Sequence, residues 1–132
     1  MNKVLIIEDD DTVRAILKRV LINKFDIRPI EATNGKEGLQ ILKNDIPDII
    51  LLDNTMPVMD GITFLKNLRK EEKYNDIQVL VITASDDSDI IEQMIQMGIS
   101  DYVLKPIDPV LTFKRIQNAI DRINKKKNNL QG

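Results

Sequence analysis

The chain has 132 residues, of which 42% are hydrophobic and 30% are charged, and its formal net charge is −2. This length and composition indicate a single globular domain with its own core. This near balance of charge argues against a general nucleic-acid-binding domain, which is usually basic. The sequence has no cysteine and no histidine, which excludes a disulfide framework, thiol chemistry and any histidine-based catalysis or metal site within the chain.

Apolar, strand-like runs alternate with runs of helical periodicity, which is the pattern of a doubly wound α/β domain. The first strand is predicted over residues 4–7, and an amphipathic helix follows it. Asp10 and Asp11 lead directly into that helix, so we expect them to cap it. A second strand is predicted over residues 27–32, and Asn34 is the expected cap of the second helix.

The rest of the chain repeats this pattern three times, with strands predicted over residues 49–52, 79–82 and 101–105. The third helix is expected to begin after Asp60, and the fourth to be capped by Ser88 or Asp86 and ended by Gly98. Asp108 followed by proline marks the start of the fifth helix, which is expected to run out in the lysines at 125–127. The chain is therefore expected to contain five strands and five helices.

The composition of each strand predicts its place in the sheet. The first, third and fourth strands are continuously apolar, as strands covered on both faces are. The second contains Pro29 and two charged residues, and the fifth is short and flanked by charge, so both are expected at edges. These features are consistent with a parallel five-stranded sheet of order 2-1-3-4-5.

Polar side chains stand at the ends of four of these strands. Glu8 and Asp9 follow the first strand, Asp53 follows the third, Thr83 follows the fourth, and Lys105 is the last residue of the fifth. The carboxyl ends of parallel strands share one edge of the sheet, where open α/β folds bind ligands. Oxygen ligands without histidine or cysteine favour Mg²⁺, and an ammonium beside them can hold a phosphoryl oxygen. The edge therefore predicts a phosphate and metal site, with a carboxylate able to form an acyl phosphate.

Four segments of the chain resemble those of the response-regulator receiver family, most closely its single-domain, CheY-like members. They are Val4–Asp10, Asp53–Gly61, Val81–Ala84 and Lys105–Ile107. The resemblance runs from about residue 3 to residue 124, with the segments in the family's order and at compatible spacing. It implies a flavodoxin-like (CheY-like) fold, with a receiver domain over residues 1–124 and a polar, basic tail over residues 125–132.

The resemblance implies which residues receive phosphate and hold metal. Asp53 would be the phosphorylated aspartate, and Glu8 and Asp9 would hold Mg²⁺ together with Asp53 and the backbone carbonyl of Thr55. Glu8 stands where aspartate is more usual in the family. Thr55 and Ser85 occupy positions that tune the lifetime of the phosphoryl group in the family.

The resemblance also implies how the phosphoryl group is detected. Lys105 would bind it, and Thr83 would hydrogen-bond to it while moving inward. Tyr102 would be the aromatic switch residue that responds to Thr83. Pro106 would follow a cis peptide bond, and proline is the residue for which the cis form is least costly.

The implied function is that of a phosphoacceptor in a two-component phosphorelay rather than an enzyme, with only self-phosphorylation and autodephosphorylation chemistry. The phosphodonor would be a histidine kinase or a histidine phosphotransfer protein. Output would pass through the surface of helix 4, strand 5 and helix 5 to a target protein, with chemotaxis as one option. We expect a bacterial, cytoplasmic protein that is a monomer or weak dimer and makes no direct contact with nucleic acid. We also expect no membrane insertion, because no apolar run reaches the roughly 18 residues of a membrane span.

Three other interpretations fit parts of the sequence. Residues 9–13 match the DxDx(T/V) signature of haloacid-dehalogenase-like phosphatases, in which Asp9 would be the nucleophile. That interpretation does not explain Asp53 through Gly61, and no acidic motif of the needed type follows Lys105. A receiver cut from a longer transcription factor or hybrid kinase is the second alternative. A scaffold that never takes phosphate is the third, and the complete set of site residues argues against it.

Overall fold

Five parallel strands form one sheet of order β2-β1-β3-β4-β5, as predicted, in a computed structural model that describes residues 2–84 and 86–131. The strands are β1 (Val4–Ile7), β2 (Ile30–Ala32), β3 (Ile49–Asp53), β4 (Gln78–Thr83) and β5 (Asp101–Leu104). The helices are α1 (Asp11–Phe25), α2 (Gly35–Leu42), α3 (Gly61–Leu68), α4 (Ser88–Gln96) and α5 (Pro109–Gln131), with a short 3₁₀ turn over Glu72–Tyr74. The predicted α/β architecture is therefore confirmed.

Helices cover both faces of the sheet, which explains why β1 and the first four residues of β3 are apolar. Successive side chains of a strand point to opposite faces. Ile7 accordingly packs in one core beneath α2 and α3, and Ile6 packs in the other beneath α1 and α5. The first core is close-packed: a Cβ on Gly38 of α2 would lie 2.5 Å from Ile7 Cδ1.

Three local predictions differ from the structure. The second strand begins at Ile30 rather than at residue 27, directly after Pro29, which has no N–H to donate to a neighbouring strand. Asp87, rather than Ser88 or Asp86, caps α4, with its Oδ1 accepting from Asp89 N at 2.9 Å. Helix α5 does not end at the lysine run but continues to Gln131. Across the described ranges, no helix combines the length and apolar character needed to span a membrane.

The acids that follow β1 divide into two roles. Asp10 is the N-cap of α1, as predicted, and its Oδ1 accepts from Thr12 N at 2.8 Å and from Val13 N at 3.0 Å. Asp11 is not a cap: it is the first residue of α1, and it pairs with the Arg14 guanidinium. The cap fixes where α1 begins, and therefore how far the chain runs between β1 and the helix.

Helix α4 is attached to the domain mainly at its C-terminal end. All of its residues are described, and Met94 alone among them is buried. Beyond its last turn, Arg69 donates from Nε to the Met97 carbonyl at 2.9 Å and from Nη2 to the Gly98 carbonyl at 3.0 Å. Gly98 has a φ of 82°, which glycine adopts without strain, so it ends the helix as predicted.

Candidate functional site

The strand register brings the predicted site residues to one edge of the sheet. Ile7 of β1 pairs with Leu52 of β3, so Glu8 and Asp53 follow neighbouring, paired positions. Thr83 pairs with Leu104, and its carbonyl accepts from Lys105 N at 2.7 Å. The order β1-β3-β4-β5 therefore places the acids, the hydroxyl and the ammonium side by side.

Three carboxylates form a cluster at this edge. One oxygen from each of Glu8, Asp9 and Asp53 lies within 4.8 Å of the other two. Glu8 and Asp53 are each only 1% exposed, whereas Asp9 is exposed. Like charges at this distance repel one another by several kcal/mol when water is largely excluded, about 3.5 kcal/mol at an effective dielectric of 20. The cluster therefore needs positive charge.

Lys105 supplies part of that charge. Its Nζ lies 3.0 Å from Glu8 Oε1 and 3.3 Å from Asp53 Oδ1, and its side chain is 22% exposed. Burial by itself lowers the pKa of the ammonium, but the Glu8 and Asp53 carboxylates together outweigh burial and raise it. Lys105 is therefore held in its charged form between the two buried acids.

One ammonium does not neutralise three carboxylates, and the remaining repulsion contributes to a raised pKa at Glu8. Burial, followed by the neighbouring Asp53 carboxylate, raises the pKa of Glu8 to about 8, although Lys105 opposes this shift. Without a further cation, Glu8 is therefore mostly protonated at neutral pH. A bound cation would restore its ionised form, because metal ligands must be deprotonated.

The donor set suits a hard divalent cation. Asp53 Oδ1 accepts from Thr55 N at 3.1 Å, whereas Asp53 Oδ2 is buried and has no hydrogen-bond partner among the described residues. Buried carboxylate oxygens are normally paired or coordinate a metal. Three carboxylates without nitrogen or sulfur ligands fit Mg²⁺, which binds oxygen and keeps part of its water shell.

The loop after Asp53 is closed by contacts that the sequence analysis missed. Asn54 N donates to the Ile82 carbonyl at 3.3 Å, and the Asn54 carbonyl accepts from Gly61 N at 3.0 Å. A Cβ on Gly61 would lie 2.8 Å from Asn54 Cα, so only glycine permits this approach. The motif showed Gly61 as a helix start, but not that it closes the loop carrying Thr55.

The remaining predicted residues surround this centre. Thr83 is fully buried at the end of β4, and Tyr102 is partly buried on β5, where it pairs with Val81. The Lys105–Pro106 peptide bond is cis. Ser85, which was predicted to tune phosphoryl lifetime, lies outside the described residues.

Arg14 is the other residue that the sequence analysis missed. Its Nη1 donates to the Glu8 carbonyl at 2.9 Å, which places a guanidinium directly behind the acidic pair. The available signal was an arginine on the first turn of α1, but helical periodicity does not show which polar side chain reaches back to the strand end.

Comparison with known proteins assigns the family. Residues 4–117 match the family described as "Response regulator receiver domain". The chain is 32% identical over 122 residues to "Chemotaxis protein CheY" of Pseudomonas aeruginosa, covering 92% of this chain and 98% of that protein. It is 36% identical to the "Probable transcriptional regulator ycf27" of Porphyridium aerugineum, covering 97% of this chain but 52% of that protein. The chain thus spans about half the length of several curated relatives that it matches.

Solved structures agree with this assignment. The Francisella response regulator 1452 receiver domain superimposes with a TM-score of 0.80 at 30% identity, covering 93% of this chain and 99% of that one. Chemotaxis response regulator CheY4 of Vibrio cholerae has a TM-score of 0.83 at 26% identity, covering 90% and 98%. The chain belongs to the response regulator receiver domain family, whose members are signalling domains of two-component systems.

Proposed function

We propose that this chain is a phosphoacceptor in which Asp53 receives a phosphoryl group in a Mg²⁺-dependent reaction. The observation that carries the proposal is the Asp53 carboxylate, which is 1% exposed, lies 3.3 Å from Lys105 Nζ and has an unpartnered Oδ2 among the described residues. A buried carboxylate that faces two further acids is costly in a purely structural role. The same arrangement suits a site that binds a cation and a phosphoryl group together.

Asp53 is the proposed nucleophile. One of its carboxylate oxygens forms a bond to the phosphorus of the donor, the bond between phosphorus and the donor's leaving atom breaks, and that atom keeps the electron pair and takes up a proton. The product is an acyl phosphate on Asp53. Lys105 holds negative charge on the transferred phosphoryl oxygens, and the Thr83 hydroxyl donates a hydrogen bond to them.

Glu8, Asp9, Asp53 and the backbone carbonyl of Thr55 are the proposed ligands of Mg²⁺. When bound, this ion neutralises the acidic cluster and polarises the phosphoryl oxygens. Asp9 is the exposed member of the cluster, so its carboxylate is the one that is open to solvent. Glutamate at position 8 has the reach to hold the ion directly or through a water molecule.

The phosphodonor must lie outside these 132 residues. They contain no histidine, so a phosphohistidine can only come from elsewhere. We infer that the donor is a histidine kinase or a histidine phosphotransfer protein. A "Sensor histidine kinase CheAY" of Helicobacter pylori carries a region that is 40% identical to this chain over 105 residues, which shows that kinases and domains of this kind occur together.

The proposed output surface consists of α4, β5 and α5. Thr83 lies at the end of β4 next to β5, so an inward movement of its side chain would alter the surroundings of Tyr102. Ile95 on α4 and Leu104 on β5 are 53% and 44% exposed, which provides apolar area for a target protein. We propose protein binding, rather than nucleic-acid binding, as the output of a monomer or weak dimer acting in the cytoplasm.

The unit that performs this function is proposed to be residues 1–124, with residues 125–132 as a polar, basic tail. Helix α5 runs into that tail as far as Gln131. Because several relatives are about twice as long, the alternative of a receiver within a longer regulator is tested by sequencing the gene beyond residue 132.

Intact-mass spectrometry after incubation with acetyl phosphate and MgCl₂ tests the proposal. We expect wild type and Asp60→Asn to gain one phosphoryl group, and Asp53→Asn to gain none. Asp60 is a matched control, because it is an exposed acid on the same loop and asparagine preserves its role as the cap of α3. EDTA should abolish the reaction. If Asp53→Asn is still labelled while Asp9→Asn is not, the nucleophile is Asp9 and the proposal is wrong.

A further inference from the structure

The Arg14 guanidinium joins three separate segments next to the proposed metal site. Its Nη1 donates to the Glu8 carbonyl at 2.9 Å, and its Nη2 pairs with Asp11 at the start of α1. Its Nε lies 3.6 Å from Glu31 Oε1 on the edge strand β2. The Arg14 side chain is only 15% exposed, so these contacts form in a partly desolvated position.

The carbonyl that Arg14 holds belongs to the peptide bond between Glu8 and Asp9. A peptide group is planar, so fixing its oxygen also fixes the direction of the nitrogen and the Cα of Asp9. Asp9 is exposed, and its side chain is therefore not oriented by surrounding core residues. The orientation of this peptide plane sets the position of the Asp9 Cα, from which the carboxylate extends next to Glu8.

The guanidinium also contacts acidic side chains at the start of α1 and on β2. Glu31 is in register with Ile6 of the buried strand β1, and its Oε2 lies 3.4 Å from Lys18 Nζ. Arginine suits this position because its planar guanidinium donates several hydrogen bonds in fixed directions. The contact with Glu8 is therefore part of a connected network rather than a single flexible surface pair.

We propose that Arg14 is a positioning residue for the divalent-cation site, which acts by holding the peptide that connects Glu8 to Asp9. The inference rests on the proposed function, because it assumes that these acids bind Mg²⁺. Arg14 touches neither the substrate nor the ion, so its effect passes through the orientation of Asp9.

The sign of the effect separates this role from simple electrostatics. A guanidinium near the site repels a divalent cation, so removal of its charge alone strengthens Mg²⁺ binding. Loss of a positioning contact weakens Mg²⁺ binding, and outer contacts of metal sites are typically worth about 10-fold to 100-fold in affinity. The two effects oppose each other. If Arg14 is a positioning residue, the loss of its contact outweighs the loss of its charge, and Mg²⁺ binding becomes weaker.

Isothermal titration of the full chain with MgCl₂ tests the inference. We expect Arg14→Met to raise the Kd for Mg²⁺ by about tenfold, the lower end of the range for outer contacts. Arg14→Lys should also weaken binding, because an ammonium cannot reproduce the forked contacts. Lys18→Met is the matched control: it removes one positive charge from the same network without touching Glu8, and its Kd should stay close to that of wild type.

A double-mutant cycle gives a readout that a merely structural role does not affect. If Arg14 acts by orienting Asp9, Arg14→Met should change the Kd much less in an Asp9→Asn background than in wild type. Urea unfolding in EDTA verifies that each variant is folded. If Arg14→Met does not fold, the Kd of Arg14→Lys for Mg²⁺ decides the outcome. Unchanged or tighter Mg²⁺ binding by the Arg14 variants, or equal effects in both backgrounds, overturns the inference. Failure of wild type to bind Mg²⁺ is a separate result, which contradicts the proposed function itself.

Discussion

Replacement of Glu8 by glutamine tests the electrostatics of the acidic cluster in the absence of metal. The pKa of Glu8 is raised to about 8 by burial and by Asp53, so ionising this residue in the folded protein is costly. In EDTA, we expect Glu8→Gln to increase the free energy of unfolding at pH 8 by about 3 kcal/mol, because glutamine removes a charge that the fold disfavours. At pH 5 the variant and wild type should be nearly equal.

The raised pKa gives this magnitude. Moving the pKa of a carboxyl from 4.5 to about 8 corresponds to ~5 kcal/mol at ~1.36 kcal/mol per pH unit. This figure already includes the attraction of Lys105, which opposes the effects of burial and of Asp53. Because Asp9 is exposed and water reaches one side of the cluster, we discount the figure and expect about 3 kcal/mol.

The direction of the pH dependence follows from proton linkage. The folded state retains the Glu8 proton over a pH range in which the unfolded chain has already released it. The stabilising contribution of protonated Glu8 is complete below pH 4.5 and is lost as the pH rises through about 8. Wild type should therefore become less stable with increasing pH in this window, whereas Glu8→Gln should change little.

Urea unfolding followed by circular dichroism at pH 5, 6, 7 and 8 in EDTA measures this effect. The absence of histidine makes the window unusually free of other titrating side chains. Saturating MgCl₂ should remove the decline in wild type, because bound cation favours ionised Glu8. A metal-free wild type whose stability is constant from pH 5 to 8, or which declines in parallel with Glu8→Gln, refutes the reasoning.

Three further variants test packing within the domain by urea unfolding at neutral pH. Thr112→Val should raise the free energy of unfolding by about 1 kcal/mol, because the Thr112 hydroxyl is fully buried without a hydrogen-bond partner in the described part of the chain; a loss of stability counts against this. Gly61→Ala should lower it by about 2 kcal/mol and weaken Mg²⁺ binding, since the new Cβ would lie 2.8 Å from Asn54 Cα; wild-type affinity would show that the loop adapts. Tyr74→Phe should lower it by about 1 kcal/mol, because Tyr74 Oη donates to the buried Leu42 carbonyl at 3.2 Å; an unchanged midpoint is the contrary result.

The sequence was sufficient to predict which residues meet at the sheet edge. Parallel strands with buried apolar runs have one register that buries both faces, so the residue after each run has little freedom in its position. The structure accordingly brings Glu8, Asp9, Asp53 and Lys105 together, although the roles of these residues stay predictions. The strand order could be inferred because Pro29 and flanking charges mark the edge strands.

Contacts made by long or adaptable polar side chains could not be predicted. Arg14, Lys18 and Arg19 are all basic residues of α1, and no sequence pattern shows that Arg14 reaches the Glu8 carbonyl. The cap of α4 was misplaced by one residue, because Asp86, Asp87 and Ser88 are all good capping residues and only the backbone angles select among them. Sequence patterns thus place elements and strand ends, whereas single hydrogen bonds depend on geometry within an ångström.

The way in which α4 is fixed determines which of its two ends opens first. Arg69 ties the backbone beyond its last turn to α3, whereas its first turn is held by the Asp87 cap and by Ile90 and Ile91, which are only partly buried. A segment with few buried apolar contacts has a low free energy of local unfolding. The amide hydrogens of α4 should therefore exchange with solvent before those of the buried middle of α1, and exchange should spread from Ser88 towards Met97. Local opening of α4 would thus begin at the end of the helix that follows β4 and the proposed phosphorylation site.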